Sequence, residues 1–355
     1  MRSSTDQADA PARPGRPRFT RKRSGPLRFL APLLAVLVLL VLITESLALG
    51  SRTLSPEEVW QGFLAYDNSV ASKVVWGLRI HRTILAIVVG ASLAVAGVVM
   101  QALTRNPLAE PGILGVNAGA SLAVVAAIGG LGLTSVNQYL PFAFAGAAAA
   151  AVLVHMMSRR SADSGPARLV LAGVALGASL SSITGTITMY NSKIFDSYRF
   201  WVVGSLENRK LEVLLWVAPF LAVGLVLALA SAHSLNALAL GDEQATALGV
   251  NLAVVRGVAF VALTLLCGAA TAAAGPISFI GLVIPHVVRL LVGADQKHLL
   301  AWSVVAGAGL LLAADVAGRL LIRPTELEAG IVTAFIGAPV LLVLAVTNRT
   351  NRRSA

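Results

Sequence analysis

The chain has 355 residues, 56% of them hydrophobic and only 13% charged, with a mean hydropathy of +0.78. Charged residues alone normally approach a quarter of a soluble domain, so this composition excludes a water-soluble globule and fits an all-α, polytopic membrane protein. The formal charge of +11 would suggest nucleic acid in a soluble protein, but here most of it lies in tails and loops, where it bears on membrane orientation.

Residues 1–28 hold eight Lys/Arg among Pro, Ser and Gly, with almost no apolar periodicity, which predicts a disordered basic cytoplasmic tail. Windows of ~20 apolar residues then predict ten spans. They fall at 29–49, 83–103, 113–133, 138–157, 168–190, 211–231, 253–273, 276–292, 299–320 and 330–347, followed by a cytoplasmic tail at 348–355. The first run resembles a signal peptide, but its full span length and the nine runs after it favour a retained helix. The eighth is short and contains Pro285 and His286. With the N-terminus inside, the inner side collects eight basic residues in the tail and ten elsewhere, 18 of the 28, and the reversed orientation inverts that ratio. An even number of spans places both termini in the cytoplasm.

Between spans 2 and 3 the chain reads Thr104-Arg-Asn-Pro-Leu-Ala-Glu-Pro-Gly-Ile-Leu-Gly115. Asn106, Pro107, Pro111 and Gly112 make it a break: two prolines four apart forbid one straight helix through both. Such a break is tolerated at membrane depth only where protein or a watery cavity covers the freed backbone groups, which points to a transport pathway. A faint internal echo accompanies it. Gly90-Ala91 with Gly97 in span 2 recurs as Gly268-Ala269 with Gly275 in span 7, and an offset of five spans would make the two copies inverted. Small residues also recur wherever helices pack closely.

In span 5, Ser179, Ser182 and Thr186 form a stripe at helical spacing that either lines a polar path or bonds to neighbouring helices. After span 6, Asp242 is a plausible N-cap and Gly249 a plausible stop for a helix of about two turns, too short and polar to span and suited to a groove on a partner. Cys267 is the only cysteine, so an internal disulfide is excluded. Asp315 is the clear mid-span carboxylate, and Arg319 lies one turn later on the same face, a self-satisfied pair. Arg79 and Arg82 share a face at the outer start of span 2. They are read either as lipid-headgroup snorkels or as a docking site for carboxylates of an extracytoplasmic partner.

No G-x-x-x-x-G-K-[ST] loop exists, because none of Lys22, Lys73, Lys193, Lys210 and Lys297 follows a glycine. If ATP drives transport, another polypeptide binds it. An ion-coupled secondary transporter is the alternative, though carriers of that kind bury several ionisable groups along their path. A membrane-embedded enzyme would need a catalytic or metal cluster, and the five histidines (His81, His155, His233, His286, His298) are scattered singly; neither catalytic residues nor a metal site are expected.

From about residue 50 to 347 the chain resembles the permease subunit of the iron-siderophore and cobalamin family of ABC importers. The segments that carry the likeness are Arg79-Ile-His-Arg-Thr83, Gly90-Ala91, Ala96-Gly97, Gln101-Ala102-Leu103, Asn106-Pro-Leu-Ala-Glu-Pro-Gly112, Leu240-Gly241, Ala247-Leu248-Gly249-Val250, Ala274-Gly-Pro-Ile-Ser-Phe-Ile-Gly-Leu-Val-Ile-Pro-His-Val-Val-Arg289, Ala314-Asp315, Arg319, Glu326-Leu327 and Gly330-Ile-Val-Thr-Ala334. Ile80-His81 departs from the family's usual Leu-Pro, and Glu328-Ala329 from its usual Pro or small residue before the glycine.

The resemblance implies ten helices per subunit, a pair of permeases around a central path, two cytoplasmic ATPases that use ATP and Mg, and a binding protein that delivers a ferric chelate from outside. It implies no cofactor on this chain. Arg79, Arg82 and Arg319 match positions that receive acidic residues of the binding protein. Gly241, Asp242, Glu243, Ala247, Leu248 and Gly249 match the helix that enters the ATPase groove.

Overall fold

The structure is a computed structural model and describes residues 27–50, 55–64, 69–133, 135–159, 166–322 and 325–353. The predicted basic tail lies outside these residues except for its last two, which open α1 (Leu27–Ala48). Among the described residues every regular element is a helix, as a backbone in hydrocarbon must be to satisfy its own polar groups.

In chain order, α2 (Pro56–Leu64) and α3 (Val70–Val74) precede one π-helical turn at Val75–Arg79, which runs without a break into α4 (Ile80–Thr104). A 3-10 turn at Pro111–Leu114 leads to α5 (Val116–Leu131), then α6 (Val136–Arg159), α7 (Pro166–Tyr190) and the amphipathic α8 (Ser192–Val202). Next come α9 (Leu211–Ala230), two short helices, α10 (Ala232–Ala239) and α11 (Asp242–Ala247), and then α12 (Leu252–Ala274). The chain closes with α13 (Ile280–Val292), α14 (Gln296–Leu321) and α15 (Ala329–Arg353).

Six described helices are long and apolar enough to cross a membrane, and four shorter apolar ones at Leu33–Ala48, Val116–Leu131, Ile280–Val292 and Ala329–Leu344 complete the ten predicted spans. Three boundaries differ from expectation. Span 2 starts at Val70 rather than 83, because the π turn carries the helix through Arg79. The eighth span is helical only from Ile280, since Gly275 and Phe279 both take positive φ. Residues 348–353, expected as the start of the C-terminal tail, are helical and prolong α15 past the predicted span end at 347.

The small helices α2, α3, α8 and α10 lay outside the predicted spans. The α2 start was legible as a capping box: the Ser55 N–H donates to Glu58 Oε2 at 2.7 Å, and the Glu58 N–H to Ser55 Oγ at 3.2 Å.

At the centre, α4 is buried almost all round, and the core gathers on it and on α12. The pairings around these two helices repeat. α4 packs on α1, α13 and α14, as α12 packs on α9, α5 and α6, and α5 meets α6 and α7 as α13 meets α14 and α15. Each pair of counterparts (α4 and α12, α1 and α9, α5 and α13, α6 and α14, α7 and α15) stands five spans apart in the chain, which gives the sequence echo a structural form. Glycine permits the closest crossings: a Cβ on Gly90 would run into the Gly307 carbonyl, and one on Gly97 into the Gly281 backbone.

Candidate functional site

The break after α4 is built by local chemistry. Pro107 cannot continue a helix, so α4 closes with Arg105 in the left-handed region (φ 50°). There the Asn106 N–H reaches Gln101 O at 3.2 Å and the Arg105 N–H reaches Ala102 O at 3.4 Å, a Schellman closure without glycine. Asn106 Oδ1 then accepts the Leu108 N–H at 3.0 Å, an Asx turn; the Ala109 N–H closes a further turn on Asn106 O at 3.1 Å, and Glu110, with extended backbone, leads into Pro111. After α12 the chain breaks again at 275–279, where Phe279 is left-handed (φ 70°) just before α13. Non-glycine residues held in this region signal positions that the surrounding structure over-determines.

The two breaks interlock. Glu110 Oε1 accepts the Phe279 N–H at 2.5 Å. Gln101 donates to Gly281 O at 3.3 Å and accepts from Arg289 Nη2 at 2.8 Å, while Thr271 Oγ1 donates to Asn117 Oδ1 at 3.0 Å. Every bond in this set joins one half of the chain to the other, and at the second break the Phe279 N–H is covered by Glu110 of the first half. A cleft of about 860 Å³ opens beside Phe279, lined by Val203, Pro276, Ala334, Phe335 and Pro339 among others. Glu110, Gln101, Arg289, Asn117 and Thr271 are site residues that sequence reasoning did not single out for these contacts, since each partner lies more than a hundred residues away.

At the N-terminal end of α4 the three arginines are used inside the protein. Asp315 is 0% exposed and accepts from Arg82 Nε at 2.9 Å and from Arg319 Nε at 3.1 Å; Arg82 Nη1 also pairs with Glu326 at 2.7 Å. Arg319, 2% exposed, donates through Nη1 to Ser46 O at 2.8 Å and Leu49 O at 2.9 Å. Arg79, 5% exposed, donates to Leu47 O at 2.6 Å and Ala48 O at 2.9 Å. These four carbonyls lie at the C-terminal end of α1, so two guanidiniums cap its negative end. The three arginines expected to form a docking surface stand together here, Arg79 and Arg319 fastening α1 and Arg82 keeping an exposed edge, 13% of its side chain. The self-satisfied Asp315–Arg319 pair is present, with Arg82 as a third member.

At the opposite end of α4 sits the short helix α11. Its N-cap is Gly241 (φ 117°), not Asp242, which is the first helical residue and turns its carboxylate to Arg105 and Arg256. Burial alone would raise the Asp242 pKa, but Arg256 and then Arg105 outweigh it and hold the carboxyl below its ordinary value. Gly249 (φ 79°) ends the helix as expected, its N–H on Thr246 O at 2.9 Å and the Val250 N–H on Ala245 O at 3.0 Å. Leu248 is left 65% exposed beside exposed Glu243 and Ala247, an apolar tip with an acidic flank.

Ser179, Ser182 and Thr186 all lie on the exposed face of α7, and the hydroxyls of Ser179 and Thr186 bond back to the carbonyls of Ala175 and Ser182 at 2.9 Å each. Among the described residues these hydroxyls bond to no neighbouring helix. Among the described residues no cluster of three His, Cys, Asp or Glu could hold a metal ion.

Residues 37–347, nearly all of the ten spans, match the model of the FecCD transport family. The chain belongs to that family. FecCD relatives include the ferric enterobactin transport system permease protein of Escherichia coli, 44% identical over 87% of this chain and 93% of that protein. The Fe(3+)-citrate import system permease protein YfmD of Bacillus subtilis is 39% identical over 92% of this chain and 98% of its own length. A solved metal-chelate type ABC transporter, in an inward-facing conformation, superposes with a TM-score of 0.77 at 30% identity, covering 89% of this chain and 98% of that one. This FecCD protein is thus a multi-pass permease subunit of an ABC importer, and the ATPase of such an importer is a separate subunit.

Proposed function

We propose that this FecCD-family permease imports ferric siderophores across the cytoplasmic membrane, working as one of a pair with an identical or related chain. The 44% identity to a ferric enterobactin permease over nearly its whole length carries the cargo. In this reading both termini are cytoplasmic, so the α11 end faces the cytoplasm. Leu248 and the 241–249 segment then enter a groove on an ATPase that uses ATP and Mg, and this chain has no enzymatic activity or cofactor of its own. The exposed stripe of Ser179, Ser182 and Thr186 faces the second permease across the path, where hydroxyls suit a polar chelate. The binding protein docks at the opposite end on the exposed edge of Arg82 with Glu326, while Arg79 and Arg319 hold the platform behind it.

The ion-coupled alternative is disfavoured because the buried carboxylate of Asp315, near the C-terminal end of α14, is already neutralised by two arginines. Reconstitution in liposomes with an ATPase and a binding protein tests the proposal. Radiolabelled ferric enterobactin should accumulate only when ATP is inside, and hemin should compete poorly. Uptake driven by a proton gradient without ATP, or ATP hydrolysis by the purified single chain, would overturn it.

A further inference from the structure

We propose that the ion pair between Asp242 and Arg105 is the tie through which movement of α11 reaches the first break, with Arg256 orienting the shared carboxylate. The inference rests on the reading of α11 as the ATPase-docking helix. α11 packs on α10 and α12, and Ala245 is its one buried residue, so little else fastens it. Its connection to α12 is nearly covalent: only Leu248 to Asn251 separate them, and the Asn251 side chain caps α12 by accepting the Ala253 and Val254 N–H groups. α12 therefore follows α11 by chain connectivity.

α4 has no such link. Arg105 lies 137 residues from Asp242, and its side chain ends on the Asp242 carboxylate and, through Nε, on Leu238 O of α10 at 3.1 Å. The two carboxylate oxygens are divided between the core helices: Oδ1 takes Arg105 and Oδ2 takes Arg256 Nη2 at 2.7 Å. The arrangement matters because of where Arg105 stands. It is the left-handed residue that ends α4, one position before Asn106 opens the break, so a pull on its side chain acts at the pivot between helix and break. Charge-assisted, directional bonds of this kind resist displacement more than neutral contacts do. Arg105 and Arg256 are thus positioning residues for energy coupling, not for cargo binding.

The test compares Arg105→Gln, Arg105→Lys and Arg256→Gln in the assembled permease–ATPase complex, reading ATPase retention, ATP hydrolysis and iron-chelate uptake separately. Arg105→Gln should keep the ATPase bound and hydrolysing while uptake per ATP falls at least about fivefold, the lower end of typical coupling effects. Arg105→Lys, which retains the charge, should recover most of the ratio, and Arg256→Gln should lower it less. Parental uptake per ATP in Arg105→Gln would overturn the tie. If the parent chain itself fails to retain the ATPase, the reading of α11 falls instead. Should Arg105→Gln aggregate, Asp242→Asn decides, because it removes the charge that Arg105 grips and keeps the side-chain size. A lowered ratio with the ATPase still bound supports the tie, and a parental ratio overturns it.

Discussion

Asp315 and Arg319 stand one turn apart on α14, both buried, and the carboxylate that neutralises Arg319 is shared with Arg82 of α4. Arg319 in turn reaches Ser46 and the last carbonyls of α1. One carboxylate thus joins three helices whose sequences lie far apart. Because Arg319 is fully desolvated, the cluster is costly to break from one side: removing a single partner of a buried pair leaves an uncompensated charge.

Replacing Asp315 with Asn should therefore destabilise the permease by about 3–5 kcal/mol. Replacing Asp315 and Arg319 together with Leu and Met should cost less than the single change, since no unpaired charge is left at position 319. Thermal unfolding of the detergent-purified protein, followed by loss of monodispersity, measures both. A single variant as stable as the parent would show that Arg82 and Arg319 do not depend on Asp315.

Two glycines of the echo, Gly97 and Gly268, should respond differently to alanine. A Cβ at Gly97 meets the Gly281 backbone, which has no side chain to yield, so Gly97→Ala should cost at least about 1–3 kcal/mol by overpacking. At Gly268 the added methyl would sit 3.5 Å from the Ala147 Cβ, an ordinary contact. Gly268→Ala should thus be neutral, or stabilising by up to about 1 kcal/mol through helix propensity. Thermal stability of the two variants side by side checks the packing of α4 against α13.

The Asp242 clasp should be insensitive to pH near neutrality. Its arginine partners hold the carboxyl below the ordinary aspartate value of 3.8, so the stability it adds is fully present above that value and is lost only as pH falls through the depressed one. The arginines are about a third exposed and Asp242 itself 43%, so solvent screening limits the contribution to about 1 kcal/mol or less. The stability difference between the parent and Asp242→Asn should be flat from about pH 8 to 5 and shrink only in stronger acid. A difference that vanishes between pH 7 and 5 would mean that another group titrates there.

Sequence alone determined the class of this protein and the places where its helices stop. Lipid offers the backbone no hydrogen bonds, so ~20-residue apolar runs must be helices, and Pro107, Pro111 and Gly249 must end or interrupt them wherever they fold. Only the tertiary structure decided which charges pair. A guanidinium on a helix surface reads the same whether it faces lipid, a partner or a helix end. Arg79 and Arg319 became caps because α1 brings its last carbonyls to them. Arg105 looked like one more inner-side positive charge until α11 placed Asp242 against it. The interlock of Glu110 with Phe279 likewise depends on two breaks 169 residues apart meeting in space, and hydrogen-bond geometry at that range is fixed by packing, which no local pattern encodes.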